Sequence, residues 1–470
     1  MSKTMKNDYT SYTSPFSWRY GSEDMRKIFS EEYKYKLWRK IWVKLARAQS
    51  KEGLVSKEEL EDLEKHQQDL DIERIWEIEK DTRHDVVAAI KEFAEKAKIG
   101  GGKIHLGATS MDINDNAETI RIQEALNLIE KQLAALLKSF GKKIEKYADF
   151  TCMGYTHLQP AEPTTLGYRF AFYAQDLLMD WELLQFVKSN LKAKGMKGAV
   201  GTSASYVSLL DLNKAEEMEK MVMDELGLEA IDVSNQTYPR KIDLFVGNLL
   251  ASISQSLYKF AFDLRIMQSP GFGEWQEPFG KSQVGSSAMP FKRNPIKAEQ
   301  ICSLSRLVVN LSRTCWDNAA HMLLERTLDD SANRRIVIPE MFLAVDEMLG
   351  SANNIVDGLN INEEKIKENL QYFWLFSASE VIIIEAVKKG ADRQILHEVL
   401  REISMKAWES LKEGKENLLK ELLLGSDEIG KYLDEEEIKK LLDASGHTGN
   451  ASKKSLTLAM IINKLDGNKK

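Results

Sequence analysis

The amino-acid sequence predicts an almost all-α fold built around a central bundle of long helices. Three observations carry that prediction. First, only nine prolines occur in 470 residues, with none between Pro15 and Pro160 and none after Pro339. Proline breaks helix interiors, so long proline-free tracts rich in Leu, Lys and Glu favour helix. Second, apolar residues recur at alternating steps of three and four over three tracts. They fall at 126, 129, 133, 136, 140 and 144, at 170, 174, 177, 181, 184, 187 and 191, and at 242, 246, 249, 253, 257, 260, 264 and 267. Such a seam marks helices packed in a bundle. Third, the period-two alternation of a half-buried strand is hard to find.

Taken in order, residues 1–22 read as an irregular arm holding Pro15, Trp18, Arg19, Tyr20 and Gly21. A helix over 24–50 gathers Ile28, Tyr35, Trp38, Trp42, Leu45 and Ala46 on one face. Shorter helices follow near 56–66 and 81–97, and Gly100-Gly101-Gly102 breaks the pattern. The three seams predict helices over about 112–147, 164–191 and 240–267, and similar runs cover 296–323 and 331–359. A helix of ~28 residues spans ~42 Å. Five such helices carry more apolar surface than one chain covers easily, and self-association is the natural outlet. After about 361 the helices shorten, with a charge run over 434–437 and glycines at Gly425 and Gly430. These shifts divide the chain into an N-terminal helical domain (1–110), a central bundle (111–361) and a C-terminal helical cap (362–470).

Hydrophobic content of 43% with 29% charged residues fits a globular chain long enough for two or three domains. A net charge of −7 with both signs interspersed gives no bulk signal for nucleic acid. Three cysteines without a CxxC pair (Cys152, Cys302 and Cys315) point to a reducing compartment. The polar start and the lack of an apolar run near the roughly 20 residues that span a bilayer make the cytoplasm, with no membrane partner, the expectation.

The stretch 285–295 reads Gly-Ser-Ser-Ala-Met-Pro-Phe-Lys-Arg-Asn-Pro. Asn294 is a good N-cap and Pro295 suits a first helical position, so a loop here feeds a helix N-terminus. A free N-terminus attracts anions. With Lys292 and Arg293 it would stabilise the alkoxide of a nearby serine. An ordinary capped loop has the same residue types.

Other segments bear chemistry with equally open readings. His157 sits in Gly154-Tyr-Thr-His-Leu-Gln-Pro160, flanked by Thr156 and Gln159, and suits proton transfer near neutral pH or a structural role. His105 lies just before the first bundle helix, where Thr109 and Ser110 can seat an anion and Asp112 can cap. In Arg83-His84-Asp85 the aspartate can fix the imidazole tautomer while the arginine takes an anion, although a surface helix start explains the triplet as well. Arg326, Ser331, Arg334 and Arg335 lie within ten residues, a density suited either to a phosphate or to a salt-bridged loop. No metal-ligand spacing, dinucleotide fingerprint, P-loop or Gly-x-Ser-x-Gly elbow is present.

The segments 105–116, 156–165 and 285–295 match, in order, the signature regions of the fumarase/aspartase lyase superfamily, and the resemblance covers nearly the whole chain. Within the superfamily, Arg19-Tyr20, Arg83-His84-Asp85, Gln236-Thr237-Tyr238 and 326–335 look like the adenylosuccinate lyase family. The Asp329-Asp330-Ser331 form resembles its animal-type branch. The resemblance implies a homotetramer with shared active sites, no cofactor, and small-molecule substrates. Fumarate would leave adenylosuccinate to give AMP, and leave the succinyl-carboxamide ribotide SAICAR to give AICAR.

Carried over by motif, His157 is the acid that protonates the departing nitrogen and Ser286 the base that takes the succinyl Cβ proton. His84 and Lys292 join the catalytic set. Arg19, Tyr20, Arg83, Asp85, Thr109, Ser110, Gln236, Ser287, Asn294, Arg326, Ser331 and Arg335 bind the nucleotide and succinyl groups. Glycines at 271, 273, 280 and 285 bracket a closing loop, with Trp275 and Phe279 as lid contacts. Two positions depart from the family pattern: Phe291 stands where many members have histidine, and Gln300 where some have arginine. Two rivals are another lyase of the superfamily, such as argininosuccinate lyase or a carboxymuconate cycloisomerase, and a scaffold that kept the fold without catalysis. Ser286, His157 and Lys292 speak against the scaffold.

Overall fold

The computed structural model describes residues 10–465, so the first nine residues of the predicted arm lie outside the description. Two helices, α1 (Glu23–Ile28) and α2 (Glu31–Lys51), replace the single helix expected over 24–50. Ser30 causes the break: its hydroxyl accepts the Tyr33 N–H and caps α2. After α3 (Lys57–His66) comes α4 (Ile72–Thr82), which the sequence reading had not placed, and then α5 (Asp85–Lys96), which occupies the helix expected near 81–97. Arg83 ends α4 at φ 50°, and His84 caps α5.

Then come α6 (Ser110–Lys146), a hairpin of β1 (Thr151–Thr156) and β2 (Gln159–Thr165), and α7 (Leu166–Ser189). They are followed by α8 (Ala204–Leu209), α9 (Leu212–Leu226), α10 (Lys241–Met267), β3 (Trp275–Gln276), α11 (Ile296–Ala320), α12 (Asp329–Gly358) and β4 (Asn360–Ile361). The hairpin had no strand signal in the sequence, because Pro160 and Pro163 interrupt it. Both strands of a two-stranded ribbon are edges, where proline costs no ladder bond. Last are α13 (Glu363–Lys388), α14 (Arg393–Lys412) and four short helices: α15 (Leu419–Leu424), α16 (Asp427–Gly430), α17 (Glu435–Leu441) and α18 (Ala451–Lys464). The shortening expected after 361 therefore begins only after 412. By length and composition α13 is also apolar enough to cross a membrane, which the sequence reading had not found in any run.

The chain clusters into two compact units. The first comprises Met1–Leu133, Asp180–Tyr258 and Ile301–Gly350. Its core packs Tyr35, Trp38 and Trp42 of α2 with Phe93 of α5 and with Met218 and Val222 of α9. Its long helices are tied by serine hydroxyls: Ser252 and Ser256 donate to Asp180 at 2.5 and 2.6 Å, and Ser305 donates to the Ser254 carbonyl at 3.0 Å.

The second unit comprises Ala134–Met179, Lys259–Gln300 and Ser351–Lys470. Phe140, Phe170, Tyr173, Phe260 and Trp275 form its aromatic centre, with Phe140 edge-on to Phe260 at 5.2 Å. A satellite core joins α13 to the helices after it through Ile382, Leu396, Leu400, Leu419 and Ile429.

Candidate active site

In the second unit, β1 and β2 pair from Thr151↔Thr165 to Thr156↔Gln159, leaving His157 and Leu158 as a two-residue turn. Both have positive φ, 54° and 61°. That is the geometry of a type I′ hairpin turn, which normally selects Asn and Gly. A leucine held there is strained, and such strain collects at functional positions. The turn presents an exposed His157 at the rim of a cleft lined by Tyr155, Tyr168, Phe172, Phe262 and Phe272 together with Arg169, Lys259 and Asp263.

Ser286 lies on the exposed loop between β3 and α11. Its Oγ accepts two backbone N–H groups, from Met289 at 3.0 Å and Ala288 at 3.3 Å. These dipoles favour an oxyanion at that atom. The loop is pinched below them. A Cβ on Gly285 would lie 2.1 Å from the Lys292 carbonyl oxygen, so only glycine permits the approach. The Asn294 amide donates to the Gly285 carbonyl at 2.8 Å. Ser287, Lys292 and Phe291 are exposed beyond the pinch.

Two expectations about this loop are corrected. Asn294 does not cap α11, because its side chain closes the loop on Gly285 instead. Nor is the α11 N-terminus free to bind an anion. The buried carboxylate of Glu277 takes the N–H groups of Lys297 at 3.2 Å and Ala298 at 3.0 Å. A charged acceptor outcompetes a neutral amide for those donors. The donors that serve Ser286 come from its own turn. Trp275 is also not a lid contact: it is 1% exposed, within the aromatic centre. Phe279 packs beneath Gly285, with Arg293 over its ring at 5.4 Å. Gln300 accepts from Lys297 Nζ at 3.1 Å.

In the first unit, Arg326, Ser331, Arg335 and Asp85 line one cleft. Six cations (Lys34, Arg121, Arg240, Arg326, Arg334 and Arg335) face four carboxylates (Glu31, Asp85, Asp115 and Glu118), a surplus of two positive charges. Asp330 fixes the floor by accepting from Arg240 Nε at 2.7 Å and Arg326 Nη1 at 2.8 Å. Asp115 accepts from Arg240 Nη1 at 3.1 Å and from the Tyr238 N–H at 2.8 Å. These guanidinium groups hold the Asp330 carboxyl below its ordinary range against the effect of burial. Burial lowers the Lys34 ammonium. Among the described residues, Arg240 Nη2 and Arg326 Nε are buried without a hydrogen-bond partner. Unmade bonds of guanidinium groups are costly, and a doubly charged anion supplies the acceptors.

Asp85 does not set the His84 tautomer. It pairs with Arg335 at 2.6 Å, while His84 Nδ1 accepts the Val87 N–H at 3.4 Å. Asp112 is not a simple cap. It is fully buried, contacts Lys194, and accepts the N–H groups of Lys197 and Gly198, each at 3.1 Å, so that it anchors the 194–203 loop. It also accepts the Thr109 N–H at 2.9 Å. Among the described residues Arg19, Tyr20, Arg83, His84, Thr109, Ser110 and Gln236 line neither cleft. Arg19 lies over the Trp18 and Tyr20 rings, Arg83 is exposed, Ser110 opens α6, and the Gln236 N–H donates to the Glu325 carbonyl at 3.1 Å.

Sequence reasoning passed over Lys34, Arg240, Glu274 and Glu277. Lys34 carried one signal, a cation beside the apolar face of α2. The two glutamates flank a tryptophan in Gly273-Glu-Trp-Gln-Glu-Pro278 but follow no known spacing.

A family model described as Lyase matches residues 19–310, and one described as Adenylosuccinate lyase C-terminus matches 376–454. The chain is 39% identical to an adenylosuccinate lyase of Saccharomyces cerevisiae over 94% of its length and 93% of the yeast protein. It is 38% identical to one from Methanocaldococcus jannaschii, over 93% of each. Among solved structures, a fumarate lyase from Mesorhizobium shares the fold at TM-score 0.83 and 23% identity, over 96% of this chain and 99% of that one. A 3-carboxy-cis,cis-muconate lactonizing enzyme from Pseudomonas putida does so at TM-score 0.83 and 23% identity, over 96% and 100%.

Proposed function

The chain belongs to the adenylosuccinate lyase family, and from that premise we propose how it eliminates fumarate from adenylosuccinate, leaving AMP, and from SAICAR, leaving AICAR. It is a C–N lyase of all-α, fumarase/aspartase-like fold. Ser286 takes the proton from the succinyl Cβ. The electron pair of that C–H bond becomes the new C=C bond as the C–N bond breaks, and His157 delivers a proton to the departing nitrogen. Charge built on the neighbouring carboxylate meets Lys292 and Asn294. His84 joins the catalytic set, and Arg19, Tyr20, Arg83, Asp85, Thr109, Ser110, Gln236, Ser287, Arg326, Ser331 and Arg335 bind the nucleotide and succinyl groups, with the phosphate on the arginine cluster.

The observation that carries this reading is the pair of N–H groups on Ser286 Oγ. A serine is a poor base in water, and fixed dipoles are what lower its cost of deprotonation. The surplus of positive charge beside Arg326 supports the phosphate end.

We further propose a homotetramer with sites shared between subunits, three helical domains with limits near 110 and 361, and a cytoplasmic location. Exposed apolar side chains on the long helices support the assembly: Phe172, Met179, Phe186, Val309 and Trp316 are 47–61% exposed. The three cysteines are buried and none is disulfide-bonded, which supports a reducing compartment. Purified chain mixed with adenylosuccinate, followed by ultraviolet absorbance, tests the activity. A folded tetramer that leaves the absorbance unchanged overturns it, and sedimentation velocity at micromolar concentration decides the tetramer.

A further inference from the structure

Lys34, on α2, lines the cationic cleft of the first unit together with Asp85 of α5 and Arg335 of α12. Its side chain is only 14% exposed, whereas that of Glu31, its ion-pair partner one turn earlier at 2.5 Å, is 51% exposed. A lysine in a helical surface pair normally carries its charge out to water on its long stem. Here the ammonium lies instead over the rings of Tyr35 at 4.4 Å and Trp38 at 5.3 Å. Burial is the largest influence against its charged form, and the charge of Arg335 adds to it, while Glu31 and Asp85 favour ionisation.

A cation drawn out of water needs compensation. One half-exposed carboxylate and two ring faces supply part of it. The other carboxylates within reach are engaged: Asp85 accepts from Arg335 at 2.6 Å, and on α6 Glu118 pairs with Arg121 at 2.9 Å. Among the described residues, Arg240 of α10 and Arg326 of the loop before α12 each keep a buried guanidinium N–H without an acceptor in this cleft. Cations from three elements therefore face the cleft with less negative charge than they can use. A phosphate monoester dianion fits that deficit, since it accepts directed bonds from guanidinium groups and the point charge of an ammonium at once.

We propose, resting on the assignment of the nucleotide phosphate to the arginine cluster, that Lys34 is a further substrate-binding residue. Its ammonium meets the phosphate from the α2 wall and joins Arg326, Ser331 and Arg335. Glu31 then competes with the substrate for that ammonium.

The test uses the full chain. Lys34→Met keeps an apolar stem over the two rings and removes the charge. Its KM for adenylosuccinate and for SAICAR should rise together by at least ~10-fold with kcat within ~3-fold, the pattern of a contact made equally in ground and transition states. The dissociation constant of inorganic phosphate, read by calorimetry, should rise in parallel. Glu31→Gln releases the ammonium and should lower both constants. Should Lys34→Met not fold, Lys34→Gln carries the same readouts. Wild-type KM in the folded Lys34 variant overturns the inference. A rise in KM in both the Lys34 and the Glu31 variant also overturns it, because the ion pair itself would then be what matters. So does a rise for one substrate alone, since both carry the same phosphate. Failure of the functional reading looks different: the wild-type chain would leave adenylosuccinate intact, while the phosphate titration would still report on Lys34.

Discussion

The indole N–H of Trp42 donates to Nδ1 of His105 at 3.0 Å. Indole is a donor only, so Nδ1 is the acceptor and the ring proton of His105 sits on Nε2. Burial drives the His105 pKa down to about 4, aided by nearby His84 and opposed by Asp112. The imidazole, held at φ 68° in the turn before α6, is therefore a neutral N–H donor at physiological pH.

This arrangement sets a pH dependence. The folded pKa lies below the unfolded value near 6.5, so the stabilisation is whole above pH ~6.5 and drains away as pH falls toward 4. At pH 5 about 2 kcal/mol is lost. Urea midpoints at pH 7 and pH 5 check it: wild type should lose that much more than His105→Asn. Trp42→Phe removes a bond to the neutral ring, raises the His105 pKa and shrinks the loss. Equal losses in all three proteins would refute the lock.

Ser286→Ala and His157→Ala should each lower kcat by ~10²–10⁴-fold while keeping the assembly intact, the range typical of general acid–base groups. If sites are shared, mixing the two inactive variants under conditions of subunit exchange restores part of the activity. A near-wild-type rate in either variant removes its assigned role, and no recovery after proven exchange removes the sharing.

Arg326 and Arg240 should fail in different ways. Arg326→Gln loses a charge-assisted contact of about 1.5–3 kcal/mol, which raises KM by ~10–100-fold and weakens inhibition by inorganic phosphate in parallel. Arg240→Met strands Asp115 and Asp330 in the interior and should cost about 3–5 kcal/mol of stability. Steady-state kinetics and thermal melts separate them. Swapped behaviour would mean that Arg240, not Arg326, meets the anion.

Leu158→Gly should raise stability by about 0.5–1 kcal/mol and preserve activity, because relief of the left-handed strain exceeds the added freedom of the unfolded chain. His157→Gly relieves the same strain and should abolish turnover. A loss of stability in Leu158→Gly would show that packing, not the turn, holds the tip.

Much of this molecule was legible in the chain. Apolar periodicity reports the buried face of a helix directly, so the long helices appear within a few residues of their predicted limits. The break at Ser30 was missed because a capping hydroxyl leaves the apolar rhythm nearly unchanged, and the helix at 72–82 was missed altogether. The hairpin at 151–165 was missed because its register rests on a strained turn and a buried ion pair rather than on alternation.

By itself the sequence determined the helical class and the residue types available for proton transfer and anion binding, since both are written in local spacing. Only the tertiary structure decided which donor meets which acceptor. Asn294 had every local qualification to cap α11, yet Glu277, twenty residues before Lys297, took the helix N–H groups. Glu274 found its partners 95 to 119 residues away along the chain. Such pairings follow from distance and charge in a folded interior, where a carboxylate must be satisfied by whatever donors the packing brings to it.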